Sequence, residues 1–496
     1  MTCTWGEAAV RFAPVQTLMK RIHMNPQREN TMHMDQANGG ERLVVLMRRL
    51  LWGLLLTACL PVMAAKPPVG LRGVLQRIAA QSPAIQAAQA SQRAAGAQER
   101  KARAAWFGKI DVYARSMHYN DPRLIRPITQ PPNVALYPFA RNQFGDGVQV
   151  QLPIDINGEI LASVKAARAN ANRARWGAQD QRLLTLLDGA ALYRNLQALS
   201  GQRQALEAQK SALDRSLAVA RKSLRVGQIA KVSLLRVQAA AAAVQGQLAG
   251  VEGQQQHLRA QLAALMDLPD YTAAIELPAD PPQNLPQGRF THAPLYAQAQ
   301  SAVAAATAHE QAARRAQWPQ LALVGSWDRN SIQFNRRAVN TWQVMLVLKV
   351  NLWSGGAQRA AIDSASALRE VAGDRARQVR LNLAAAQAGA TAAWNAQSKA
   401  YAAATAGLKA AMDSARIERD RFRLGLGSAT DLIDAEAALA HARSALTNAL
   451  AAWWEADDAL RYAYGEPPRA LRAPATIDSS PFPAHADLLL NPQASP

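Results

Sequence analysis

Few residues in this sequence stand in patterns that support catalysis. The chain has eight histidines, and none stands in the HExxH spacing with which metalloproteases hold zinc. It also has no glycine-rich loop before a Lys-Ser pair and no nucleophile elbow around a serine. His292 and His309 lie on or just before one predicted helix and are expected to face solvent. We therefore predict a protein that is not an enzyme and holds no metal or cofactor.

One pair of carboxylates has a distinctive spacing. Asp431 and Asp434 are three residues apart on a predicted helix, so both side chains project from the same side of it. Acidic side chains near a helix start are favoured by the helix dipole, and this explanation stays open beside any role in binding. A binding role depends on the elements that carry the pair, which are considered next.

The segment with this pair has a counterpart in the first half of the chain. Residues 423–433, RLGLGSATDLI, match residues 225–235, RVGQIAKVSLL, at an offset of 198. The same offset relates VQVQLPI at 148–154 to LVLKVNL at 346–352. Two separate landmarks with one offset indicate an internal duplication, and hence two equivalent structural halves.

The N-terminal region has the pattern of a targeting segment. Residues 47–65 place two arginines before an apolar run and end in small residues, as a secretory signal peptide does, and the run is too short to span a membrane. Residues 1–46 show no such pattern and are interpreted as an upstream extension. The only cysteines, Cys3 and Cys59, precede residue 66, so the cleaved chain has no thiol. Cleavage before Cys59 is the alternative and would make Cys59 a lipidated first residue.

The remaining chain divides into two repeats and a tail. The first repeat covers 66–288 and contains a helix, two strands, a long helix and a return helix, and the second covers 289–466. Residues 467–496 are rich in proline, alanine and serine and are expected to be flexible. The net charge of +20 is compatible with nucleic-acid binding. The signal peptide and the scatter of arginine through helices favour solvated helix faces, so no nucleic-acid partner is predicted.

Four segments alternate between apolar and polar residues. They cover 110–114, 148–155, 321–325 and 344–352, with a proline-rich loop predicted over 120–142. Strands of about ten residues with aromatic residues at their ends are typical of outer-membrane barrels, although any single one also fits the edge of a soluble sheet. Lipid tolerates no open sheet edge, and a barrel needs about eight strands. Four strands must therefore combine with those of other copies, and three copies give 12.

Long helices make up most of the chain. They are predicted over 71–105, 156–226, 230–267, 294–317, 355–424 and 428–464. The two longest would each reach about 105 Å at 1.5 Å per residue. The shorter helices together retrace that length in each half, so the sequence predicts a helical tube below the strands.

These features resemble the TolC-like outer-membrane efflux proteins over about residues 70–465. The resemblance is carried by the corners LPIDINGEI and VNLWSGGAQ, the two glycine tips, and helix entries at Pro83 and Pro294. It implies a mixed α and β membrane protein: a homotrimer whose 12-stranded β-barrel, four strands per chain, continues into a long α-helical barrel. It also implies an outer membrane of a Gram-negative bacterium, with the helices in the periplasm.

The resemblance further implies a function as a passive exit duct. Such a duct serves a tripartite efflux or type I secretion system, with a periplasmic adaptor and an inner-membrane pump as partners and outer-membrane lipid around the barrel. The residues that correspond to adaptor-docking tips are Arg225, Val226, Gly227, Arg423, Leu424 and Gly425. The cargo, whether drug, metal ion or polypeptide, stays open.

A pore gate is implied by the same resemblance. The matching aspartates, Asp431 and Asp434, point into the closed mouth of similar proteins, where three copies form a ring that binds cations. Phe422 and Gly427 stand where the best-studied relative has a tyrosine and an arginine that help to hold the mouth shut. Ser233 replaces an aspartate in the first half. We therefore expect an acidic ring without the polar latch, in a mouth that either opens more readily or is held shut by apolar contacts, with Phe422 among the gate residues.

A periplasmic coiled-coil adaptor or scaffold is the alternative function. Adaptors carry one helical hairpin between halves of a soluble β-domain, whereas this sequence predicts two hairpins and four amphipathic strands. A soluble coiled coil would leave those strands unexplained.

Overall fold

The computed structural model describes residues 70–125, 139–277, 281–282, 284–332 and 338–472. The predicted extension, the signal peptide, Cys59 and all but the first residues of the predicted tail lie outside these ranges. Within them the chain forms seven α-helices and four β-strands. In chain order these are α1 (Gly70–Gln81), α2 (Pro83–Ala104), β1 (Lys109–Leu124), β2 (Phe139–Ile154), α3 (Glu159–Arg225), α4 (Lys231–Leu265), α5 (Pro294–Arg315), β3 (Gln320–Ser331), β4 (Val339–Lys349), α6 (Ala357–Arg423) and α7 (Ala429–Ala463).

The helices follow the sequence prediction closely. Pro83 begins α2 and Pro294 begins α5, because proline needs no amide partner in a first helical turn. The helices α3 and α6 have 67 residues each, or about 100 Å at 1.5 Å per residue. The helices α4 and α7 have 35 residues each. No helix of the described ranges contains a stretch apolar enough to cross a membrane.

The predicted loop between the first two strands is too long. Both β1 and β2 have 16 residues, so strand covers part of the proline-rich segment assigned to a loop over 120–142. The ladder continues there because backbone pairing does not require apolar side chains. A register shift between His118 and Arg123 accommodates Pro122, which has no N–H to offer the ladder.

The four strands form one antiparallel sheet in the order β1-β2-β3-β4. Register places Val150 opposite Ile110 and Leu323 opposite Leu346, so apolar residues of all four strands share one face. That face carries Ile110, Val112, Val148, Val150, Leu152, Leu321, Leu323, Trp327, Trp342, Val344, Leu346 and Leu348. The opposite face is mostly polar: it carries Lys109, Asp111, Gln149, Gln151, Ser326, Gln343 and Lys349, together with the apolar Val324, Met345 and Val347.

The apolar face of the sheet is uncovered in the single chain. Ile110 is 71% exposed, and Val344 and Leu346 are each 63% exposed. A soluble protein does not leave a continuous apolar surface of this kind in water, and such a surface marks contact with a membrane or another protein.

The helices form a single open layer around α3. Near the sheet the order of packing is α2-α3-α5-α6, and in the far half it is α4-α3-α7-α6. The layer therefore has two edges. We name the side with β1, α2 and α4 the first edge and the side with β4 and α6 the second edge.

Apolar side chains fill the space between these helices. Near the middle of α3, which we call mid-height, Val74 and Ile78 of α1 pack with Leu186 and Tyr193 of α3. A second cluster, near the far ends of the helices, joins α3 and α4 to the start of α7. These clusters hold two hairpins side by side and bring their turns to the same end of the molecule.

Candidate functional site

The first tip joins α3 to α4 through a left-handed glycine. Gly227 has φ 73°, a region that costs other residues about 1–2 kcal/mol. Its N–H donates to the Leu224 carbonyl at 3.2 Å, and the Gln228 N–H donates to the Ser223 carbonyl at 2.9 Å. This pair of bonds is a Schellman motif, which satisfies the last carbonyls of the helix.

The second tip repeats this geometry between α6 and α7. Gly425 has φ 77°. Its N–H donates to the Phe422 carbonyl at 3.1 Å, and the Leu426 N–H donates to the Arg421 carbonyl at 2.8 Å. The two matched sequences thus form matched turns, as the glycine positions predict.

Both tips present side chains to solvent. Val226 is 70% exposed and Leu424 is 67% exposed, and Arg225 and Arg423 beside them are exposed as well. Leu426, which the sequence prediction did not include, is 72% exposed. An apolar residue between two glycines was the signal that could have identified it, since neither neighbour can cover it.

The acidic pair lies at the start of α7. The Ser428 hydroxyl oxygen accepts a hydrogen bond from the Asp431 N–H at 3.1 Å, which caps the helix. Asp431 belongs to the first turn, so the helix dipole stabilises its carboxylate. Asp434 lies one turn further on the same side, and in the single chain both Asp431 and Asp434 are exposed.

Phe422 lies inside the tip, not on its surface. Its side chain is 6% exposed and packs in a cluster with Val237 of α4 and with Ala429 and Leu432 of α7. Within one chain, therefore, Phe422 faces no open space. Its side chain instead packs α6 against α4 and the start of α7.

Sequence reasoning missed a buried ion cluster near mid-height. Arg461 of α7 donates to Asp457 Oδ2 at 2.8 Å and to Glu466 Oε2 at 3.2 Å. Arg194 of α3 lies 4.0 Å from Asp458 Oδ2. Charged side chains are almost never this buried unless they are paired. The four-residue spacing of Asp457 and Arg461 was visible, but the sequence could not show that α3 covers it.

The same cluster ties the end of the described chain to the helices. The Arg194 guanidinium lies 4.7 Å from the centre of the Trp454 ring and donates to Gln197 Oε1 at 3.1 Å. The Arg469 N–H, in a short 3-10 helix after α7, donates to Asp458 Oδ1 at 3.2 Å. The cluster therefore joins α3, α7 and the segment that follows α7.

Burial raises the pKa of Asp458 to about 6, with Asp457 adding to the rise, while Arg194, Arg461 and the Arg469 N–H oppose it. The folded protein thus holds this proton more tightly than the unfolded chain, in which the pKa is near 4. We expect this group to cost the fold about 3 kcal/mol as the pH rises from about 4 to about 6, with no further loss above. Urea unfolding followed by circular dichroism at several pH values measures this loss of stability. Asp458→Asn should reduce the slope of the free energy of unfolding against pH. An equal slope in both proteins would contradict the assignment.

No three His, Cys, Asp or Glu side chains of the described ranges come together as a metal site requires. His309 Nε2 lies 3.2 Å from Asn170 Nδ2 in an exposed contact, and His292 lies in the short 3-10 helix before α5.

Several solved structures share this fold. VceC of Vibrio cholerae, an outer membrane protein, is 20% identical with a TM-score of 0.68, over 80% of this chain and 96% of that one. CmeC of Campylobacter jejuni, an outer membrane channel, is 16% identical with a TM-score of 0.69, over 80% and 85%. The open state of the MtrE outer membrane channel of Neisseria gonorrhoeae is 19% identical with a TM-score of 0.64, over 81% and 89%. These likenesses define the class: the fold is that of outer-membrane channels.

The sequence itself matches the outer membrane efflux protein family over residues 74–267 and 290–466. The chain belongs to this family. It is an outer-membrane efflux channel of the TolC-like type. The family is one of transport proteins and gives no support to the adaptor alternative. Among curated proteins, none matches the chain.

Proposed function

We propose that this protein is the exit duct of a tripartite efflux or secretion system, and that it works as a homotrimer. Three copies would close a 12-stranded β-barrel above a continuous α-helical barrel. A periplasmic adaptor and an inner-membrane pump would engage its far end. The observation that carries the proposal is the pair of open edges along the chain.

The edges need partners for physical reasons. Within the described ranges, β1 and β4 each pair on one side only, and unpaired strand edges are not tolerated in lipid. The second edge also leaves apolar side chains of α6 in solvent: Leu368 is 62% exposed, and Leu381 and Ile417 are each 51% exposed. Contact between the second edge of one copy and the first edge of the next would remove both costs along the whole length.

The equal lengths of matched elements support a tandem duplication. The helices α3 and α6 have 67 residues each, and α4 and α7 have 35 each. The entry helices α2 and α5 both have 22 residues. We therefore assign the repeats to 66–288 and 289–466, which would give a trimer six similar hairpins around its mouth.

The far end of the duct would contain the gate and the docking sites. Asp431 and Asp434 of three copies would form an acidic ring in the mouth, which binds cations. Phe422 would hold that ring in place from behind. The exposed tip residues Arg225, Val226, Gly227, Arg423, Leu424 and Gly425 would contact the adaptor.

A matched pair of substitutions on β4 tests the barrel. Leu346 belongs to the apolar face and Gln343 to the polar face. Arginine on a lipid-facing position costs about 2–4 kcal/mol at the bilayer midplane, and a trimer would bear that cost three times. We expect Leu346→Arg to abolish insertion into the outer membrane and Gln343→Arg to insert normally, as membrane fractionation would measure.

Oligomeric state in detergent tests the trimer directly. Light scattering should give the mass of three chains, and electron microscopy should show an elongated particle more than about 100 Å long, the length of α3. A monomer or dimer that stays in solution without detergent would contradict both the barrel and the duct.

A further inference from the structure

The two tips share one backbone geometry but differ strongly in charge. Residues 215–236 contain six lysine and arginine side chains and no carboxylate. The corresponding residues 413–434 contain four arginines and five carboxylates. The first tip thus has a formal charge of +6 and the second a formal charge of −1. We call these segments the basic tip and the acidic tip.

Within the described ranges, no carboxylate neutralises the positive charge of the basic tip. Arg221, Lys222, Arg225 and Lys231 are exposed. In the described part of the chain, these four side chains take part in no ion pair. The two other cations have neutral partners: Arg215 donates to Ser211 Oγ at 2.8 Å, and Arg236 donates to Thr430 Oγ1 at 3.0 Å.

The acidic tip, in contrast, pairs most of its arginines internally. Arg421 lies 2.8 Å from a Glu418 oxygen and Arg423 lies 3.1 Å from an Asp420 oxygen. Arg419 forms a bidentate ion pair with Glu436, a side chain only 2% exposed. The difference between the tips therefore lies in their available charge as well as in their composition.

The helix that follows each tip adds to the contrast. The N-cap residue before α4 is Ala230, which offers no side-chain cap, and the first turn of α4 contains no acidic residue. The partial positive charge of the helix dipole at the N-terminus of α4 adds to the charge of the surrounding cations. The N-terminus of α7 has the Ser428 cap, and Asp431 lies in its first turn. The Asp431 carboxylate therefore offsets the partial positive charge of that helix end.

Apolar side chains accompany the cations of the basic tip. Val226 is 70% exposed, Val232 is 53% exposed and Leu235 is 51% exposed. Arginine and apolar side chains side by side are typical of protein interfaces. Opposite charge on the partner would speed association and fix its register.

We propose that the basic tip is the docking surface for an acidic helical tip of the periplasmic partner, and that the acidic tip is not its equivalent. This inference rests on the proposed function and adds the chemistry of the partner. In a trimer, basic and acidic tips would alternate around the mouth. A partner with carboxylates at its tip would then find three strong sites instead of six equal ones.

A matched charge reversal tests the proposal in cells of the producing organism. One variant is Arg221→Glu with Lys222→Glu on the basic tip. The control is Arg416→Glu with Arg421→Glu on the acidic tip, which changes the net charge equally. We expect the rate of dye efflux to fall at least about tenfold in the first variant, the equivalent of 1.4 kcal/mol in partner binding, and to fall much less in the control.

Suppressor selection then identifies the chemistry of the partner. Second-site mutations that restore efflux to the reversed basic tip should replace acidic residues of a periplasmic protein with lysine or arginine. Equal loss in both variants, or suppressors that change no acidic residue, would overturn the proposal. If wild-type cells show no efflux that depends on this protein, the proposed function fails instead.

Two other occupants of the basic tip give different results. If the basic tip bound the acidic tip of a neighbouring copy, the variant Arg221→Glu with Lys222→Glu would conduct more than wild type in a planar bilayer without any partner protein. If it bound lipid, the purified protein in detergent would retain phosphatidylglycerol vesicles, and the variant would not. Either result would overturn the proposal.

Discussion

Asparagine at both acidic positions of the mouth, Asp431→Asn with Asp434→Asn, is expected to raise single-channel conductance and to weaken divalent-cation block at least about tenfold, or 1.4 kcal/mol. Both side chains lie on one side of α7 and neither is buried, and three copies would bring six carboxylates into a narrow opening. Such a ring concentrates cations and excludes anions. Asparagine keeps the size of each side chain and removes its charge, so the change reports on the charge alone. Planar-bilayer recording with added divalent cations measures both quantities.

The control removes two carboxylates from the same tip but from the other helix. Asp413 and Asp420 of α6 are also accessible to solvent, so Asp413→Asn with Asp420→Asn changes the charge equally. We expect little change in block from this control. Equal conductance and equal block in the wild type and the Asp431/Asp434 variant would rule out an acidic ring at the constriction.

Arg461→Met is expected to destabilise each chain by about 3–5 kcal/mol, because it leaves a buried carboxylate without its cation. The Arg461 side chain is only 7% exposed, and its partner Asp457 is fully buried. Methionine preserves most of the volume, so the loss is electrostatic and not a cavity effect. The midpoint of urea unfolding, followed by circular dichroism of the helices in detergent, measures the change.

Two further variants separate the possible causes. Arg377 and Asp374 form an ion pair on the exposed surface of α6, and Arg377→Met there should cost no more than about 1 kcal/mol. In the buried cluster, Asp457→Leu combined with Arg461→Met removes both charges and should recover much of the lost stability. If the double variant is as unstable as Arg461→Met, the unpaired charge is not the cause.

Local signals in the sequence determined most of the secondary structure. Helical spacing of apolar residues, Pro83 and Pro294 at helix starts, and glycines at 227 and 425 placed the helices and both turns. These signals work because each depends on backbone preferences within a few residues. Strict alternation likewise identified the four strands and the side of each that is apolar, since side chains of a strand point to opposite faces in turn.

The duplication also located the two tip segments in the chain, whereas the docking and gate roles of their residues are what the family resemblance implies. It could do so because two copies of one pattern in a single chain imply the same local turn twice. The offset of 198 relates Gly227 to Gly425, and both residues adopt the same left-handed conformation.

Only the tertiary structure decided what each side chain faces. Arg421, Phe422 and Arg423 are neighbours in sequence, yet Phe422 is buried between α4 and α7 and the arginines are exposed. The ion cluster near mid-height joins Arg194 to Asp458, and the unpaired cations of the basic tip depend on which carboxylates lie within reach. These properties arise from contacts between residues far apart in the chain. Sequence periodicity states which face of a helix is apolar, but not which helix will cover it.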